Sequence, residues 1–113
     1  MNFRRKARIE QRKKLQTWSK NIRSAGHCEV CSTTVNLDAH HILPKEMWKH
    51  LKFELWNGVC LCKKCHKFGR FSAHKNPIWF AYWLKTNQPE KYEKILSIIK
   101  LEYPNIENAK KIS

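Results

Sequence analysis

Two Cys-x-x-Cys pairs, Cys28-Glu29-Val30-Cys31 and Cys62-Lys63-Lys64-Cys65, bracket the dipeptide His40-His41, and His66 directly follows the last cysteine. Each pair can present two thiolates to one tetrahedral ion, and four thiolates suit Zn²⁺ in a closed, structural site. Thirty residues separate the pairs, more than the roughly 15 to 20 of a compact zinc ribbon, so something is inserted between the knuckles, and it carries the histidines. Four thiolates on one Zn²⁺ leave about two net negative charges, which Lys63, Lys64 and Lys67 are placed to offset. Cys60, one residue from Cys62 and inside an apolar run, reads as a small buried hydrophobe rather than a fifth ligand. The histidines beside the thiols are free for other work, and an imidazole titrating near neutral pH serves as a general base or as a ligand to a second ion.

These side chains need elements to hold them. Residues 1 to about 25 read as one helix, with Leu15, Trp18 and Ile22 at helical spacing and Gly26 as its stop. Val35 to Ile42 alternates as a strand, with Asp38 and His40 on one face, and Pro44 ends it. Lys45 to Trp56 reads as a loop carrying a short helix, Gly58 to Leu61 as a second strand, and a helix is expected to begin near Lys63 and Lys64. Pro77, after Asn76, opens another helix, and Pro89 opens a last one whose Tyr92, Ile95, Leu96 and Ile99 form a stripe closed by Pro104. The aromatics of residues 79–83 read as packing for this helical hairpin. The tail from 105 to 113 is expected to fray.

On a regular strand, His40 and His41 point to opposite faces, yet two adjacent histidines that act together must approach one site. The strand is therefore expected to end or twist at this pair. Cys65 and His66, adjacent at a helix start, lie about 100° apart, so one can face the zinc and the other the histidines.

The order Cys-x-x-Cys, His-His-Ile-x-Pro, Asn57-Gly58-Val59 and Cys62-x-x-Cys65-His66 resembles the HNH endonuclease family, over about a third of the chain, from Cys28 to His66. The resemblance implies an α+β fold: a zinc-stapled ββα-metal, treble-clef-like core with a basic N-terminal helix and a C-terminal helical hairpin. It implies a metal-dependent endonuclease that hydrolyses phosphodiester bonds in DNA, of the small free-standing bacterial or phage type. By the same resemblance His41 matches the general base and Asn57 the residue that orients the base or supports its loop. His40 and His66 match ligands of one catalytic divalent metal, Mg²⁺ or Mn²⁺ first, with Ni²⁺ or Zn²⁺ also compatible. Asp38, on the strand face of His40, is open between an additional ligand, a hydrogen-bond partner behind a ligand and a solvated strand residue. His27, His50 and His74 read as surface or packing histidines, with His74 and Arg70 close enough for a phosphate contact.

Composition bears on the partner. Of 113 residues, 23 are Lys or Arg and 9 are Asp or Glu, a net charge of +14. Such an excess points to a polyanion, with nucleic acid the default. Arg4, Arg5, Arg8, Arg12, Lys13 and Lys14 crowd the front helix, and Lys67 and Arg70 follow the second knuckle. All are candidate phosphate contacts, which grip without reading sequence. No run approaches the roughly 20 apolar residues of a spanning helix, and none follows the basic start as a secretory signal would. Metal-spaced cysteines favour a reducing, cytoplasmic setting. One domain is expected over 1–113: a basic arm at 1–25, a zinc-stapled core at 26–70, a helical scaffold at 71–104 and a tail. Whether it acts as monomer or dimer is left open. The rival reading is a zinc-dependent nucleic-acid-binding module without cleavage, such as a repair, recombination or regulatory accessory. It needs the cysteines and lysines but has no use for His40, His41, Asn57 and His66 as a set.

Overall fold

The computed structural model describes residues 2–103 and 105. Pro104 and the tail beyond 105, with the expectations placed on them, lie outside the described residues. The architecture is α+β: a helix α1 (Phe3–Arg23), a two-stranded antiparallel sheet of β1 (Leu37–His41) and β2 (Gly58–Cys62), and helices α2 (Pro77–Asn87) and α3 (Pro89–Glu102). Single 3-10 turns at Lys49–Leu51 and Leu55–Asn57 occupy the β1–β2 connection. The helix expected after β2 is a five-residue π-helical turn, Lys64–Phe68. The chain divides after Pro77 into two compact units, so residues 71–77 belong with the knuckles and the sheet. Among the described residues no helix is long and apolar enough to cross a membrane.

α1 starts at Asn2, whose side chain accepts a hydrogen bond from the Arg5 amide at 2.8 Å, satisfying one of the orphan donors of a helix start. It ends at Ser24, with Lys20 and Arg23 in the last turn complementing the helix dipole and Gly26 at a φ of 80° carrying the chain away. Between Asn2 and Lys14 every residue except Ile9 is exposed, whereas Trp18 is buried and Leu15 and Ile22 are half-buried. The helix is thus packed by its second half alone. At about 1.5 Å per residue, its first dozen residues form a cationic rod roughly 18 Å long.

The register pairs His41 with Gly58, His40 with Val59, Ala39 with Cys60 and Leu37 with Cys62. Directly opposed residues share a face of the sheet, so Gly58 lies beside His41 under α1. A Cβ at Gly58 would come within 2.8 Å of Trp18 Cζ2 and 2.7 Å of Ile22 Cγ1. Only glycine lets the helix approach this closely. Every residue of β2 is buried, and Val59, Cys60 and Leu61 are completely so; burial of each aliphatic side chain contributes about 1.5–3 kcal/mol. The first knuckle covers this strand: Glu29 N donates to Cys60 O at 2.9 Å and the Glu29 carboxylate accepts from Cys60 N at 2.6 Å.

In the second unit, Phe80 and Leu84 of α2 and Ile95 of α3 are buried, and the Phe80 and Trp83 rings stack at 5.8 Å. Trp79 and Trp83 are half-buried while Ile78 and Tyr82 are exposed.

Candidate metal centres

The four thiols of Cys28, Cys31, Cys62 and Cys65 converge, with their sulfurs all within 4.8 Å of one another. Cys31 Sγ and Cys62 Sγ are 3.7 Å apart, and a tetrahedron with Zn–S of about 2.3 Å has edges of about 3.8 Å. The donor set therefore fits one structural ion such as zinc. Local backbone shapes the cradle. Ser32 N donates to Cys28 O at 2.8 Å with Ser32 in the left-handed region at a φ of 70°, and Cys65 N donates to Cys62 Sγ at 3.5 Å. Burial opposes ionisation of Cys28, yet the amides of Cys31, Cys62 and Val30 outweigh it and bring this thiol down to about 7. Burial and the neighbouring sulfurs push Cys65 up, the mark of negative charges gathered around a place meant for a cation. Cys60 is completely buried and points its backbone, not a ligand, to the first knuckle.

A second convergence involves three imidazoles. The rings of His40, His66 and His74 lie 4.7 to 5.2 Å apart, each pair edge to face. One nitrogen from each falls within 4.8 Å of the others, and His66 Nε2 and His74 Nε2 are 3.1 Å apart. Metal–imidazole bonds of about 2.0–2.1 Å put neighbouring nitrogens roughly 3 Å apart, so this set too has the spacing of ligands to one ion. His66 is buried, His40 half-buried and His74 exposed, leaving one side open to solvent. Burial and the neighbouring histidines pull His40 down to about 3, and burial also lowers His66. Both rings are neutral at physiological pH, as ligands must be.

His74, expected to be a surface or packing histidine, is exposed, and its ring also joins those of His40 and His66. Ala73 N donates to Cys65 O at 2.8 Å and His74 N to His66 O at 3.0 Å, two bonds that fold the segment back onto the π-helical turn. A spacing of eight residues from His66 carries no helical signal, and only this fold-back makes the two histidines neighbours.

Asp38 stands behind the cluster. His66 Nδ1 donates to Asp38 Oδ2 at 3.0 Å, and Lys63 Nζ donates to Asp38 Oδ1 at 2.7 Å. Burial works against the carboxylate, but the bonds from Lys63 and His66 prevail and its pKa is lowered. With the proton fixed on Nδ1, His66 presents its Nε2 lone pair to the other imidazoles. Of the alternatives for Asp38, the geometry is that of a partner behind a ligand.

His41 stands on the opposite face. β1 ends at His41, as expected of a strand that stops at the pair, and within it His40 and His41 still leave the strand on opposite faces. The His41 ring stacks on Trp18 at 3.8 Å and 7°, and its Nε2 donates to Lys52 O at 2.8 Å. That bond puts the free lone pair on Nδ1. Burial, reinforced by Lys45, holds His41 below the ordinary histidine range, against the opposing bond to Lys52. Asn57 is completely buried and ties the loop: Oδ1 accepts from Leu43 N at 2.7 Å, while Nδ2 donates to Leu43 O and Leu51 O, each at 3.2 Å. It fixes the residue next to Lys52 and so sets the carbonyl that orients His41 without touching the imidazole.

The arm residues Arg4, Arg5, Arg8, Arg12, Lys13 and Lys14 are all exposed on the front of α1. Lys67 and Arg70 are both exposed, and Lys67 lines a cleft with His66, Asp38, Lys63 and Arg23. A neighbouring cleft holds His41 and Lys45; both share Ser19, Arg23 and Ala39 as walls. Compared with family models, curated proteins and solved structures, the chain matches none.

Proposed function

We propose that the chain is a metal-dependent endonuclease of the HNH type, hydrolysing phosphodiester bonds in DNA from a zinc-stapled ββα-metal core. The observation that carries this reading is the division of labour among the histidines. Three converge with a carboxylate locking one of them, while the fourth is held apart with its proton on the carbonyl side and a lone pair free. A binding module needs a folded knuckle and cations but no such division.

In this reading His40, His66 and His74 hold one divalent ion, Mg²⁺, Mn²⁺, Ni²⁺ or Zn²⁺. When bound, that ion would stabilise charge on the phosphorane and on the leaving 3′ oxygen. His41, neutral at pH 7, takes a proton from water at Nδ1, and the Lys52 carbonyl steadies the imidazolium that forms. Trp18 keeps the ring from rotating. Arg23, Lys63 and Lys67 line a cleft at His66, and the front of α1 lies along phosphates, making affinity steeply salt-dependent. The thiolate ligands suit a reducing cytoplasm.

The test is nicking of supercoiled plasmid by the purified protein with Mg²⁺, Mn²⁺ or EDTA. Metal-dependent open circles are expected, with His41→Ala lowering the rate at least about 100-fold while its zinc content stays unchanged. His74→Ala should raise the metal concentration needed for half-maximal rate by about 10- to 100-fold, as ligand loss does. Salt-sensitive binding with no cleavage of plasmid, nicked or branched DNA or RNA would leave the binding-module reading instead.

A further inference from the structure

The turn that carries His66 ends in Phe68-Gly69-Arg70-Phe71, and both phenylalanines face solvent, at 66% and 55% exposure. Single exposed apolar side chains are ordinary on a protein surface. Three observations set Phe68 apart. It lines the cleft that contains His66, Asp38, Lys63, Lys67 and Arg23, so it stands beside one histidine of the cluster, among cations. Its backbone is pinned, because Lys75 Nζ donates to Phe68 O at 3.1 Å and Gly69 N donates to Lys64 O at 2.8 Å. The turn also requires glycine at 69, where a Cβ would lie 2.8 Å from the Lys64 carbonyl. An aromatic ring is thus held out to solvent on a fixed turn, and the Arg70 guanidinium extends the cationic surface over Phe71 at 5.6 Å.

We propose that Phe68 is a base-stacking platform that directs the histidine cluster to nucleic acid with unpaired bases: single strands, flaps or splayed ends. The proposal rests on the nucleic-acid reading above and narrows its substrate. A phosphate drawn in by Lys63, Lys67 and Arg23 brings its own base within reach of the ring. A free base can stack on it, whereas a base inside a duplex is already stacked on both faces and must first be extruded. Stacking is indifferent to base identity, so the selectivity is for strand state rather than for sequence.

The test separates binding from cutting. In EDTA-free buffer with Ca²⁺, full-length protein is titrated into a splayed-end duplex carrying 2-aminopurine in its unpaired arm, and into a fully paired duplex of equal length. The expected result is quenching of 2-aminopurine and tighter binding of the splayed substrate. Phe68→Ala should lose the quenching and about tenfold in affinity for the splayed DNA alone, and Phe68→Tyr should retain both. Equal affinity of wild type and Phe68→Ala for the splayed DNA, or an equal loss on both substrates, would overturn the proposal. The plasmid assay reports the nuclease reading separately, and failure there leaves the fluorescence result to decide the stacking role.

Discussion

The indole of Trp18 lies flat against the imidazole of His41, with ring centroids 3.8 Å apart and planes 7° from parallel. The indole is itself anchored, its Nε1 donating to Glu54 O at 2.9 Å. A helix whose front half is a cationic arm therefore reaches the proposed base with its back half. Trp18→Phe should keep the stack and lose the N–H bond, lowering stability by about 1 kcal/mol, or roughly 4 °C in Tm. Trp18→Ala should cost about 3–5 kcal/mol. Thermal melts that leave both variants at the wild-type Tm would show that α1 is not held to the sheet by this residue.

Asn57 serves two carbonyls and one amide from a completely buried position. Aspartate has nearly the same shape and can still accept from Leu43 N. It cannot donate to Leu43 O or Leu51 O, and it brings a charge into the core. Asn57→Asp should destabilise the protein by about 3 kcal/mol or more, measured as a shift of the urea midpoint. A midpoint within error of wild type would refute this account of the loop.

The histidines tie stability to pH. His40 titrates at about 3 in the folded protein, against roughly 6.5 in an unfolded chain. Between these values the unfolded state binds a proton that the folded state refuses, so stability is full above about 6.5 and falls as the pH drops toward 3. His66 and His41, also lowered, act in the same direction. Zinc-loaded protein without added second metal should lose about 1 kcal/mol more between pH 7.5 and 5.5 than His40→Gln does. Urea titrations giving both proteins the same slope with pH would contradict the burial assigned to this ring.

Cobalt substitution should distinguish the thiols. Co²⁺ bound by four thiolates gives intense charge-transfer absorption, and Cys60→Ala should preserve it at one ion per chain. Cys28→Ser, Cys31→Ser, Cys62→Ser or Cys65→Ser should each weaken both the band and the affinity. Chelation of the ion should abolish the near-ultraviolet circular dichroism of Trp18, because the first unit is small and depends on its staple. An intact spectrum after complete chelation would show that the sheet and α1 suffice without the ion.

Spacing made the thiol site readable, since Cys-x-x-Cys is a local signature and the two pairs had little else to do. The strands and the helices opened by Pro77 and Pro89 were legible from alternation and from proline at a first helical position. A helix does begin at Lys63 and Lys64, but its being a five-residue π-helical turn is not legible, because such a turn shares its local composition with the start of a longer helix. That the His74 ring joins those of His40 and His66 is not legible for a different reason. Its place depends on two backbone bonds to Cys65 and His66, and backbone pairing between loops leaves no trace in residue type. The partners of His41 were equally invisible: one is a main-chain carbonyl and the other lies 23 residues away on α1. Asp38 was left open by the strand pattern, which assigns a face but not which nitrogen of a neighbouring histidine a carboxylate meets.

Cys65 and His66 are consecutive, and the segment bearing His74 is laced to both of them. The thiol cluster and the histidine cluster therefore share one stretch of backbone. Backbone bonds from Gly69, Ala73 and His74 hold that turn within the chain, and an ion at the thiols would steady through them the 3.1 Å approach of His66 to His74. Oxidation of the thiols would thus be felt at the imidazoles through the backbone alone, without touching a histidine.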